Sequence, residues 1–336
     1  MMVLETEWTL KTFLGCFLGM LSLAGLLVNF LVVIPVFRLA FIQNKSPIYV
    51  ISFINIVTDI LNVTMASFYL APSIIFEVFF ADDKTGTIPK LMGSIFIFCW
   101  YLGSITQIVM AVNRLVVIYF RRDDIFTRQN ICRLFYLIIP FSFFLMYLAQ
   151  YGTPCCFFVF DHVVLSYSYF QIDGQINYPN LFIDLPLNSA CSTVAVFCYS
   201  VIVWTVRQST KGVAASLTQE HIRRSRRNRE VTYAMQFCFI SMFYTFSWIT
   251  FRIFPIAIGN RGLEWFVCIS TAVTINSSAN ALVYLISNRE VKKIIKSSGL
   301  NIFNRQSSSS YAANNSTDGP NAVRISHNAT TNTLKY

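Results

Sequence analysis

A chain of 336 residues that is 55% hydrophobic and only 12% charged, with a mean hydropathy of +0.54, is not a water-soluble globule; soluble domains carry about 25% charged residues. The net charge of +10 does not point to nucleic acid, because the basic residues sit in short segments between apolar runs, as membrane topology requires. Zinc-type Cys/His spacing, phosphate-binding glycine loops and nucleophile elbows are missing from the sequence.

Taken in order, residues 1–11 are acidic (Glu5, Glu7) and lack the basic region and cleavage site of a signal peptide, so the first apolar run is expected to act as an uncleaved anchor. Each apolar run reaches the roughly 20 residues that a bilayer needs. Spans are predicted over 12–37, 47–80 with a bend at Pro72, 91–120, 133–153, 187–206, 231–256 and 264–286. Asp82, Asp83, Lys84 and Gly86 form a polar turn before the third, and residues 154–186 form a long loop carrying Cys155, Cys156, Asp161, His162 and Asp173. Residues 288–297 place Val291, Ile294 and Ile295 on one helical face with lysines opposite, the pattern of an interfacial helix. Residues 298–336, rich in Ser, Asn and Thr, are expected to be a disordered tail. The predicted class is an all-α membrane protein: a seven-transmembrane helix bundle over 12–287, then a short amphipathic cytoplasmic helix.

Lys11, Lys84, Lys90, Arg252 and Arg261 fall on one side of this arrangement, Arg114 lies within a span, and the other 20 of 26 basic residues fall on the opposite side. That bias puts residues 1–11 outside and the tail in the cytoplasm. Polar side chains that would be expensive facing lipid lie inside predicted spans, among them Asn29, Asn55, Asp59, Arg114, Asn276 and Asn280. Such groups face the bundle interior, either as glue between helices or as a working site. Arg114 is the only charge between Leu91 and Phe120; it either snorkels to the membrane surface or marks a functional site. Asp59 must be protonated, paired or hydrating a cation.

Asn276-Ser-Ser-Ala-Asn280-Ala-Leu-Val-Tyr284 resembles the N-S-x-x-N-P-x-x-Y signature of rhodopsin-like G-protein-coupled receptors, with Ala281 in place of proline. Asn29 and Asp59 match that superfamily's first-span asparagine and second-span aspartate, and Asn113-Arg114-Leu115 its D-R-Y triplet. Ser247-Trp248 resembles the C-W of the sixth-span F-x-x-C-W-x-P, with Tyr244 at the first position and Thr250 where proline is usual. Within the superfamily the chain is most similar to nematode serpentine chemoreceptors of class X, through Ala-Val-Asn-Arg-Leu-Val-Val-Ile, Pro-Cys-Cys-Phe-Phe-Val-Phe-Asp, Phe-Tyr-Thr-Phe-Ser-Trp and Ile-Asn-Ser-Ser-Ala-Asn. The resemblance implies a chemosensory receptor in the plasma membrane, acting in the sensory cilium of chemosensory neurons. It would bind an extracellular small molecule or peptide and couple to a heterotrimeric G protein through Arg114, Asn113, Glu230, Asn280 and Tyr284.

Departures from the pattern matter. With Asn113 beside Arg114, the usual local ion pair cannot form; Glu230 stands where some relatives keep an acid that clamps the arginine, or else it neutralises the basic run beside it. Gly103 replaces the serine that helps the second-span aspartate hold sodium, although Ser104 is adjacent. Pro89 replaces the third-span cysteine, which leaves Cys155 or Cys156 to an outer disulfide with no identified partner. The ligand would sit above Trp248, near Tyr101 and Tyr244. Arg252, one turn above Trp248, would meet an acidic group on the ligand, pair with Asp184 or Glu264, or snorkel.

A transporter would favour matching halves with Gly/Pro-interrupted helices, and a ligand-gated channel a charged or glycine-rich filter; neither is evident. An enzyme is not expected, because His162, His221 and His327 lie outside the spans and Asp59 has no second carboxylate. The expectation includes no cofactor or metal; the remaining partners are membrane lipids, and no nucleic acid.

Overall fold

The computed structural model describes residues 2–80, 83–122, 124–172, 174–211, 219–259 and 262–297, and for 2–9, 209–211 and 219–234 the backbone alone. Among them are seven helical segments long and apolar enough to cross a bilayer: Leu10–Ile42, Ile48–Phe76, Thr87–Phe120, Arg128–Gln150, Pro179–Gln208, Met235–Ile258 and Leu263–Ser287. Helix is the natural state of such runs, since apart from a closed barrel only a helix satisfies every backbone N–H and C=O without water. The first and sixth helices are longer than their spans, at Met2–Phe37 and Gln219–Ile258. The N-terminal residues thus continue the first helix. The tail expected to be disordered lies outside the described residues.

Proline shapes the second span. Pro72 has no N–H to give, and its ring would crowd the carbonyl of the preceding turn. The helix Ile48–Met65 therefore opens into a wider five-residue turn, Ala66–Leu70, before Ala71–Phe76 resumes. The expected bend is accommodated one turn early.

Spans one and seven cross where Gly25 faces Ser278: a Cβ at Gly25 would stand 2.2 Å from Ser278 Oγ. Asn29, one turn on, donates Nδ2–H to the Gly25 carbonyl at 2.9 Å and to the Ser277 carbonyl at 3.0 Å.

Among the described residues, one element is not helical. Within 154–186, β1 (Phe158–Asp161) pairs antiparallel with β2 (Ser166–Tyr169), in the register Phe158 to Tyr169 and Asp161 to Ser166. The loop reading of this segment is corrected accordingly. All four residues of β1 are buried, because the hairpin enters one end of the bundle. There Phe158 stacks on Phe96 at 5.1 Å and Phe96 on Tyr167 at 4.5 Å. Cys155 and Cys156 precede β1 and are bonded to each other, while the other seven cysteines are free. The residues bonded are thus immediate neighbours in the chain.

The bundle closes at Lys292. Residues 289–297 are helical, and Asn288 Oδ1 caps this helix by accepting from the backbone N–H groups of Glu290 and Val291 at 3.0 and 3.1 Å.

Candidate functional site

The intramembrane polar residues gather in three tiers between the hairpin end of the bundle and the end where Arg114 lies. At the Arg114 end, Asn113 and Arg114 are 4% and 3% exposed, so Arg114 does not snorkel. Its guanidinium carbon stands 4.9 Å from the centre of the Phe237 ring on the sixth span, a contact that favours a desolvated cation. Phe237 also touches Tyr284 edge-on at 6.1 Å, and the Tyr284 hydroxyl bonds to Ser52 on the second span. Tyr49 ties the second span to the segment after the seventh, donating to Glu290 Oε2 at 2.8 Å and accepting from Asn288 at 3.2 Å. The expected partner Glu230 lies on the helix, but its side chain is outside the described residues.

In the middle tier Asn280 donates Nδ2–H to Asp59 Oδ2 at 2.8 Å. Beside them is a small cavity, about 20 Å³ measured to the centre of a water-sized particle, where one water needs roughly 10–15 Å³. Asn55, Asp59, Gly103, Tyr244, Asn276 and Asn280 are among its lining residues. Asn29 does not reach Asp59; it binds backbone carbonyls instead. Ser104 turns away from the carboxylate to join the third tier.

That tier centres on Asn188. Its Nδ2 donates to Asp184 Oδ1 and to the Asp184 carbonyl, both at 2.8 Å. This orientation aims Oδ1 at two hydroxyls, Tyr244 at 2.6 Å and Ser104 at 2.9 Å, which are themselves 2.8 Å apart. One buried amide thus joins the third, fifth and sixth spans. Asp184 Oδ2 accepts from Arg252 Nη2 at 2.7 Å, and Arg252 also donates to Asn180. Of the alternatives for Arg252, the pair with Asp184 is the one formed.

Tyr101 is fully buried, and its hydroxyl faces that of Tyr169 in the hairpin. Trp248 is half-buried, with an indole N–H that meets no acceptor among the described residues. Phe251, one turn beyond Ser247 and two beyond Tyr244, packs against Phe158 and Tyr169 of the hairpin at 6.2 and 6.5 Å.

Three contacts seat the hairpin over this tier. Gln150 Oε1 accepts from the Phe158 N–H at 2.6 Å while its Nε2 donates to the Phe158 carbonyl at 3.1 Å. Ser270 donates to the Leu165 carbonyl at 3.0 Å. Lys84 pairs with Asp161, whose side chain is 3% exposed. Gly93 permits the approach, since a Cβ there would fall 2.0 Å from the Phe158 carbonyl oxygen. Asn188, Gln150 and the hairpin contacts were not among the residues singled out from sequence; a polar residue beside a predicted span end carries no desolvation signal.

No cluster of three or more metal-ligating side chains occurs among the described residues. Residues 20–288 match the family model described as serpentine type 7TM GPCR chemoreceptor Srx. No curated protein matches the sequence. Among solved structures the fold is similar to the crystal structure of squid rhodopsin, with a TM-score of 0.70 over 93% of each chain at 15% identity; at that identity the likeness speaks for the fold alone.

Proposed function

Because the chain belongs to the Srx family of serpentine seven-transmembrane chemoreceptors, we propose that it binds a ligand at the hairpin end and signals by moving its sixth span, admitting a heterotrimeric G protein at the Arg114 end. The ligand shifts the balance between two bundle states by binding one better than the other, which is the only way a ligand can do so. The 20-to-5 division of basic residues supports an extracellular hairpin end and a cytoplasmic Arg114 end in the plasma membrane, and the family description supports a chemosensory role.

The observation that carries the reading is Arg114, buried at 3% exposure and held against sixth-span Phe237. A charge kept from water by a neighbouring helix becomes available when that helix moves. The sixth span is also the one held by Asn188 through Tyr244, so the hairpin end and the Arg114 end act on the same helix.

The test is nucleotide exchange on purified G proteins by the full chain in lipid nanodiscs. Wild type is expected to accelerate exchange, and Arg114→Gln to abolish the acceleration at matched folding and surface expression. Equal exchange with and without the chain, across the G-protein classes, would reject the reading.

A further inference from the structure

Resting on the receptor reading, we propose that the Arg252–Asp184 pair is an exchange site for an alkyl or aryl monocarboxylate: the ligand's carboxylate takes the place of Asp184 on Arg252, and the released Asp184 loosens the Asn188 junction.

The pair is incompletely matched as it stands. A guanidinium offers five N–H donors in a planar fork, and a carboxylate satisfies it best through two parallel bonds. Asp184 cannot supply both, because its oxygens are divided: Oδ2 goes to Arg252 Nη2 and Oδ1 to Asn188. Arg252 Nη1 turns to Asn180, and Nε is buried with no acceptor. A carboxylate arriving with both oxygens free engages Nε and Nη2 together.

The surroundings repeat the imbalance. Tyr101 and Tyr169 lie within the fields of both Asp184 and Arg252, and their hydroxyls find no acceptor elsewhere. Neither hydroxyl has a hydrogen-bond partner among the described residues, and Tyr101 is fully buried. Buried donors in excess call for an acceptor-rich guest. An amine would add a second cation beside Arg252 and leave these donors as they are. The ring of Tyr169 stands 5.1 Å from Phe158 and 6.5 Å from Phe251, so the body attached to the carboxylate is apolar or aromatic.

Exchange has a mechanical result. Asn188 Nδ2 has two acceptors, and both belong to Asp184. When the Asp184 side chain moves, one is lost and only the Asp184 carbonyl still orients the amide. Its Oδ1 is the shared acceptor of Tyr244 and Ser104. The sixth span then loses a bond that holds it to the third and fifth.

The experiment compares octanoate and 3-phenylpropionate with octylamine and 1-octanol on the full chain in nanodiscs, reading thermal stability and, separately, G-protein nucleotide exchange. The two carboxylates are expected to raise the melting temperature, the amine and alcohol to leave it unchanged. Arg252→Gln should weaken the half-maximal concentration by at least about tenfold, the scale of a lost buried charge partner. Asp184→Asn, which weakens the internal competitor, should strengthen it. If Arg252→Gln does not fold, Asp184→Ala takes its place: acetate should stabilise that variant and not the wild type. Stabilisation by octylamine instead, an equal response to all four compounds, carboxylate binding indifferent to Arg252→Gln, or no carboxylate response in wild type or Asp184→Ala would each overturn the proposal. Arg252-dependent carboxylate binding with no G protein ever responding would sink the receptor reading and leave the exchange site standing. Ligand-free exchange that depends on Arg114, without carboxylate binding, would do the reverse.

Discussion

Asn188 concentrates more of the bundle's polar connectivity than any residue singled out from sequence. Replacing it with alanine takes the donor from Asp184 Oδ1 and leaves Tyr244 and Ser104 only each other and the Trp100 carbonyl, at about 1–3 kcal/mol for a buried group left unmet. The expected outcome is a lower melting temperature and raised ligand-independent nucleotide exchange. Tyr244→Phe removes one hydroxyl and leaves Ser104 on the amide, so its effect should be smaller on both measurements. Legibility at this scale follows desolvation. Asp59, Arg114 and Asn280 stood out because each interrupts an apolar run, and the structure buries all three. Asp184 was named only as a rim partner for Arg252, and Asn188 did not stand out because it sits at the very start of a span expected to begin at Leu187. The helical turn Pro179–Asp184 extends it by two turns toward the hairpin and takes both residues into the interior. Likewise Cys155 and Cys156 offered no pairing by sequence, since a bond between neighbours leaves no spacing to read.

The hairpin is the element that helical periodicity could not reveal. Phe-Val-Phe-Asp and Ser-Tyr-Ser-Tyr alternate as strands do, but each run is four residues long in a chain that is 16% aromatic, so the alternation does not stand out. Its seating rests on Gly93, and Gly93→Ala sets a methyl against the Phe158 carbonyl. Overpacking of this kind costs about 1–3 kcal/mol, and amide hydrogen exchange over 158–169 should quicken. Gly103→Ala is the control, because its Cβ would meet nothing nearer than 3.9 Å and should leave hairpin exchange unchanged. His162, at the hairpin turn, packs on Phe79 with ring centres 4.4 Å apart. Burial holds its imidazole below the ordinary value of 6.5, against the opposing pull of Asp161 and Glu77 and with a small push from Lys11 and Lys84. The folded form therefore binds a proton less readily than the unfolded one. Its contribution to stability is intact above about pH 6.5 and declines as pH falls through that value. Hairpin amides should exchange faster at pH 5 than at pH 7.5 after correction for the intrinsic rate, and His162→Phe should remove most of that difference.

Across the whole molecule, the number and order of the spans were legible because lipid imposes one requirement on every crossing segment, a long apolar run with its backbone bonds made internally. The ends were not: helices ran past the apolar stretches at Met2 and Gln219, where solvent and neighbouring helices, not hydropathy, decide. At this scale the resting state is expected to depend on Glu230 clamping Arg114. Glu230→Gln should raise basal nucleotide exchange severalfold at matched expression, and unchanged basal exchange would discard the clamp. The bond between Cys155 and Cys156 carries a last consequence. Since it joins chain neighbours, no covalent staple fastens the hairpin to any helix; Gln150, Ser270 and Lys84 moor it with reversible bonds alone. The mouth of the bundle can thus be unsealed and resealed without redox chemistry, and mild reductant should leave the cap in its berth.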